Sequence, residues 1–120
     1  MCARRSSAVV LVVEDEWLLR DEIVHHLKNA GWQVLEASTG EGAVGLLETE
    51  QRIDALVTDI QLAGYLNGWD VAEAFRAARP DIPVIYASGN SADPSRAVAN
   101  SRFFAKPANI SEIVAVIRNL

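Results

Sequence analysis

The run Ala8 to Val13 (AVVLVV) constrains this chain more than any other stretch. It is uninterrupted, largely β-branched, and closed at once by Glu14, Asp15 and Glu16. Such a run reads as a strand buried on both faces, which requires helices packed above and below it. It is far too short to span a bilayer. It also fails as the apolar centre of a secretory signal, because carboxylates end it, and Arg4–Arg5 before it does not make a twin-arginine leader.

The rest of the chain alternates in period. Leu19, Ile23, Val24 and Leu27 recur at helical spacing between Glu16 and Ala30, and Gly31 stands where a helix C-terminal glycine belongs. Trp32 to Ala37 alternates polar and apolar, as an edge strand does. Ser38 with Glu41 reads as a capping box opening a helix through about Glu50. Asp54 to Thr58 predicts a third strand, Gly64 to Gly68 a loop, and Val71, Ala72, Phe75 and Ala78 a helical stripe stopping before Pro80. Ile82 to Tyr86 predicts a fourth strand, Ser88 to Pro94 a turn-rich stretch, and Arg96 to Asn100 leaves room for a short helix only. Arg102 to Ala105 is the fifth strand, and Asn109 with Glu112 caps a last helix lined by Ile110, Ile113, Val114 and Ile117. Strand and helix thus alternate about five times in 120 residues, one domain's worth, with residues 1–7 read as a flexible N-terminus and 8–120 as the domain. The fold class is α/β: a three-layer, doubly wound parallel sheet with helices on both faces. No DNA-binding or enzymatic output domain is expected among these residues.

Charge and cysteine narrow the function. Sixteen acidic residues against eleven basic ones give a net charge of −5, which argues against direct nucleic-acid binding. A lone cysteine, Cys2, allows no internal disulfide, so a cytoplasmic location without membrane insertion is expected.

In parallel sheets of this kind, sites form outside the carboxyl ends of the strands, where strand order reverses. Strand one ends in Glu14, Asp15 and Glu16, strand three in Asp59, strand four in Ser88 and strand five in Lys106. Carboxylates gathered at one edge repel one another, and a hard divalent cation held by oxygen ligands relieves that; Mg²⁺ suits such a set. Lys106 adds a compact positive charge and Ser88 a hydroxyl donor. Together these parts would stabilise new negative charge on Asp59, and phosphoryl transfer to Asp59 is the chemistry that uses all of them.

With VVEDE, DALVTD, YASG and FAKP in this order, the chain resembles the receiver domain of two-component response regulators over nearly its whole length. The resemblance implies a flavodoxin-like sheet of order 2-1-3-4-5. It implies that Glu14 and Asp15 are the acidic pair, with Asp15 ligating Mg²⁺ directly and Glu14 through water. Asp59 would be the phosphoacceptor, the Gln61 carbonyl a further metal ligand, and Ser88 and Lys106 the partners of the phosphoryl group. Phe103 would be the aromatic switch residue. The implied partners are a histidine kinase or phosphotransfer protein and a downstream protein target. The sequence departs from the commonest pattern in three ways. Glu14 stands where Asp is also common, the loop from Asp59 to Gly68 is longer by one residue with Ala63 in place of the usual proline, and the Ser88–Lys106 stretch is about four residues short, roughly one helical turn. That shortening with YASG is similar to the divergent FATGY-type single-domain branch, although Asn90 and Ser91 do not complete its motif.

Other readings are weaker. A metal-dependent aspartyl-phosphate phosphatase takes its nucleophile from DxDx(T/V) after strand one, whereas this chain has Glu14-Asp15-Glu16-Trp17 and no room for a cap domain. A flavodoxin-like cofactor binder needs hydroxyls and glycines in the first loop, which the acidic triplet opposes. A receiver-like binding module that is never phosphorylated stays open as the alternative. His25 and His26 read as exposed structural residues, and Trp17, Trp32 and Trp69 as packing or rim residues.

Overall fold

The computed structural model describes residues 8–50, 52–89, 93 and 95–119. Five parallel strands, β1 (Val9–Val13), β2 (Gln33–Ala37), β3 (Ala55–Thr58), β4 (Val84–Ser88) and β5 (Arg102–Ala105), form one sheet. Their order is β2-β1-β3-β4-β5, the flavodoxin-like doubly wound arrangement. The helices are α1 (Trp17–Asn29), α2 (Gly40–Thr49), α3 (Gly68–Ala78) and α4 (Ile110–Arg118).

Period-two alternation sorts the strands into two cores. Val10, Val12, Ala55, Val57, Ile85 and Ala87 meet Ile23, Val24 and Leu27 of α1 and Ile113 and Ile117 of α4. Leu11, Val13, Leu56, Val84 and Tyr86 meet Ala43 of α2 and Val71, Ala72 and Phe75 of α3. Every residue of β1, β3 and β4 is buried, whereas the edge strands β2 and β5 are mostly half-exposed or exposed. The apolar run Ala8 to Val13 therefore supplies one fully buried strand of the sandwich's middle layer.

Several boundaries differ from expectation, each for a local reason. Helix α2 is capped by Thr39, whose hydroxyl accepts the Gly42 amide, and not by Ser38. The Ser38–Glu41 box does not form, because Glu41 bonds instead to a distant loop. Helix α3 starts earlier than its apolar stripe, at Gly68, because Asn67 and Asp70 form a reciprocal capping box. Strand β4 begins and ends two residues later than predicted: Ile82 closes a turn onto the Arg79 carbonyl, and Pro83, which has no amide hydrogen, only accepts, from Leu56. Among the described residues between β4 and β5 there are turns and no helix, so the short helix expected over Arg96 to Asn100 does not form. The expected flexible N-terminus, residues 1–7, and the motif positions Asn90 and Ser91 lie outside the described residues. No helix among the described residues is long and apolar enough to cross a membrane.

Candidate functional site

Sheet register assembles the site. Val13 pairs with Thr58 and Thr58 with Tyr86, and Ser88 pairs with Ala105, so the residues that follow these strand ends converge on one edge. The Asp59 amide donates to the Val13 carbonyl at 2.9 Å, the Glu14 amide to Ala37 at 3.1 Å, and the Lys106 amide to the Ser88 carbonyl at 2.8 Å. Each extends its ladder by one bond, which fixes the backbone of Glu14, Asp59 and Lys106 before any side chain is considered.

Glu14, Asp59 and Ser88 are buried, at 3%, 8% and 1% exposure, while Asp15 and Gln61 are exposed. The Lys106 ammonium donates to Glu14 Oε1 and to Asp59 Oδ2, both at 2.8 Å. The other carboxylate oxygens are held by main chain: Glu14 Oε2 accepts from the Glu16 amide at 3.1 Å, and Asp59 Oδ1 from the Ile60 amide at 2.6 Å. Burial raises the Glu14 pKa above its ordinary value, and the Asp59 charge adds to that, against the lowering effect of Lys106. Burial alone would lower the Lys106 pKa, but the bonds to Asp59 and Glu14 outweigh it, so its pKa is raised and the ammonium stays charged.

Donor oxygens from Glu14, Asp15 and Asp59 all lie within 4.8 Å of one another. Hard carboxylate oxygens at this spacing, two of them on buried residues, fit a small divalent cation better than a soft metal. The family model for the response regulator receiver domain matches residues 10–118. The chain belongs to the response regulator receiver family.

This receiver domain is 30% identical over 115 residues to the probable transcriptional regulatory protein TcrX of Mycobacterium tuberculosis, covering 92% of this chain and 48% of that protein. It spans about half the length of the first curated relatives it matches, 48% and 49%. Among solved structures, a response regulator receiver protein from Sinorhizobium medicae WSM419 superposes with a TM-score of 0.90 at 30% identity, over 94% of this chain and 93% of that one. The receiver domain of the hybrid histidine kinase CckA superposes at 0.79 with 27% identity, over 93% and 97% of the two chains.

Of the residues singled out from the sequence, Glu14, Asp15, Asp59 and Lys106 come together at the receiver's carboxyl edge. Ser88 lies beside them through its backbone bond to Lys106. Phe103 is half-buried against the α2–α3 core, paired across the sheet with Tyr86. His25 and His26 are exposed on α1, and Trp17 is 64% exposed, whereas Trp69 packs in the core against Tyr86. Sequence reasoning missed three supports of the site. Gly68 lies so close to the Asp59 carbonyl that a Cβ there would overlap it. The Glu41 carboxylate accepts the Tyr65 and Leu66 amides at 3.0 and 3.3 Å. Arg20 reaches back to the Glu14 carbonyl. Only Gly68 carried a readable signal, a small residue directly after a capping asparagine.

Proposed function

We propose that this receiver accepts a phosphoryl group on Asp59 and switches conformation in response. The observation that carries the reading is the Lys106 ammonium shared at 2.8 Å between two buried carboxylates, beside an exposed third carboxylate. Asp15, Asp59 and the Gln61 carbonyl would hold Mg²⁺ directly, and Glu14 through water. Bound there, Mg²⁺ supplies charge neutralisation for the transferring phosphoryl oxygens. The donor is a phosphohistidine on a histidine kinase or phosphotransfer protein. The phosphorus–nitrogen bond breaks as a phosphorus–oxygen bond forms to an Asp59 carboxylate oxygen, and the ring nitrogen keeps its electron pair and takes up a proton. Lys106, already aimed at Asp59 Oδ2, would follow the new negative charge, and Ser88 would donate to it. Phe103, only half-buried, would turn inward behind Ser88. The downstream partner is a protein, in the cytoplasm, with no direct nucleic-acid contact. Receiver domains generally act as phosphoacceptors, so catalysis here extends only to the chain's own phosphorylation and dephosphorylation. The described residues after β4 form turns and no helix before β5, which favours the FATGY-type branch.

Mass spectrometry of the intact protein after acetyl phosphate and Mg²⁺ tests this. One phosphoryl addition is expected, absent without divalent metal and absent in Asp59→Asn. Equal labelling of that variant would remove Asp59 from the role. No labelling of the wild-type chain would leave the phosphorylation-independent binding module as the better reading.

A further inference from the structure

The acidic turn between β1 and α1 is closed by Arg20, whose guanidinium spans two elements. Nη1 donates to the Glu14 carbonyl at 2.7 Å, and Nε donates to Glu36 Oε1 on β2 at 3.1 Å. Helical side chains lean toward the helix N-terminus, so a residue one turn into α1 is placed to reach back over the turn that precedes it. Glu36 is set opposite Val12 by the β1–β2 register, which brings the second anchor alongside. The helix cap offers no substitute, since Glu16 makes no side-chain capping bond. Glu14 is consequently held at every polar atom: amide to Ala37, carbonyl to Arg20, carboxylate to Lys106 and the Glu16 amide. Asp15 is the opposite case. It is exposed, and among the described residues its carboxylate has no hydrogen-bond partner.

We propose that Arg20 is a positioning residue for the cation site, setting the Glu14–Asp15 peptide plane and with it the direction in which Asp15 presents its carboxylate. The inference rests on the reading of Asp15 as a metal ligand. Its sign separates it from a simple charge effect. A guanidinium beside a cation site repels the cation, so removing it should tighten binding if charge were all that mattered. Positioning demands the reverse, since loss of a group that orients a ligand typically weakens metal affinity by about tenfold or more.

The experiment is calorimetric titration with Mg²⁺, paired with acetyl phosphate labelling across a Mg²⁺ series and with melting in EDTA. Arg20→Met should weaken Mg²⁺ binding about tenfold and raise the half-maximal Mg²⁺ concentration by the same factor, leaving the rate at saturating Mg²⁺ within about twofold. Arg20→Lys, with a single donor nitrogen in place of a fork, should fall between, about threefold weaker than wild type. Glu36→Gln, which keeps an acceptor for Nε, should stay within about twofold of wild type. Unchanged or tighter Mg²⁺ binding in Arg20→Met overturns the proposal, as does a lowered melting temperature with no change in Mg²⁺ affinity. Should Arg20→Met not fold, Arg20→Lys decides by the same criterion. A wild-type chain that takes up no Mg²⁺ sinks the metal reading itself, and this inference with it.

Discussion

The connection after β3 and the connection after β4 both leave the candidate site, yet they are secured by different chemistry. The first, from Asp59 to Asn67, is held through its own main chain, which bonds at almost every turn to groups packed against it. Gly68 donates to the Ile60 carbonyl at 2.7 Å, Ala63 bridges to Thr39, and two consecutive amides feed the Glu41 carboxylate. Gly64 adopts a φ of +96°, with the Glu41 carboxylate where a side chain would go. The second connection has no helix among its described residues and is moored by long side chains. Arg76 of α3 donates to the Ala99 carbonyl at 2.5 Å and is itself anchored on the Ile82 carbonyl, just before β4, at 2.7 Å. Arg96 pairs with Asp70 at 3.2 Å and Glu73 at 3.3 Å, and the buried Tyr86 hydroxyl accepts the Val98 amide at 3.2 Å. Main-chain contacts enforced by glycine leave almost no slack, because backbone cannot move aside. Half-exposed arginine forks can release one bond at a time, each at modest cost. The two connections thus differ in the slack they leave beside the candidate site.

The largest effect should come from putting a methyl group in each connection. In Gly68→Ala the Cβ would overlap the Asp59 carbonyl and stand 2.7 Å from the Ile60 Cα, so a loss of about 3 kcal/mol is expected in urea denaturation. Gly89, with none of the described residues within 4 Å of its Cβ position, should accept alanine within about 0.5 kcal/mol. Equal costs at the two positions would erase the contrast.

Arg76→Met should remove the bond to Ala99 in the second connection together with the bond to Ile82 just before β4, and cost about 2 kcal/mol. Amide exchange should quicken over residues 95–101 and stay unchanged over 60–67. Acceleration in both stretches would mean that the two are one cooperative unit.

Tyr86→Phe should cost about 1 kcal/mol and expose the Val98 amide to exchange. Burial raises the Tyr86 pKa above 10.0. Its contribution is therefore complete below that pH and lost as pH climbs through the raised value. The phenylalanine variant should lack that alkaline decline, leaving a flatter stability curve above pH 10.

The smallest effect belongs to Glu41. Bonds from the Tyr65 amide first, and then from further backbone amides, hold its pKa below the usual 4.5. A depressed carboxylate adds stability above the unfolded value and loses it as pH falls through the folded one. Wild type and Glu41→Gln should therefore converge in acid and differ slightly at neutral pH, with amide exchange at Tyr65 and Leu66 as the local readout. A difference that grows on acidification would contradict the clamp.

How much of this could be read in advance follows the range of the interactions. The AVVLVV run, the alternating periods and the apolar stripes are local properties of the chain, and they sufficed for the three-layer sandwich and for both of its cores. The convergence of Glu14, Asp15, Asp59 and Lys106 was legible because parallel strands send their carboxyl ends to one edge whatever the details between them. The Asn67 cap is not legible because its partner Asp70 lies before the apolar stripe that marks α3, and the Ser38–Glu41 spacing points to Ser38 where the folded backbone uses Thr39. The shortened stretch before Lys106 was plain from counting residues. Its mooring by Arg76, Arg96 and Tyr86 was not, because those partners are 12 to 26 residues apart and carry no spacing rule. The same holds for Arg20 on the Glu14 carbonyl and Glu41 on the Tyr65 and Leu66 amides. A long charged side chain has many partners within reach in sequence, and only the packed sheet and helices decide which of them it meets.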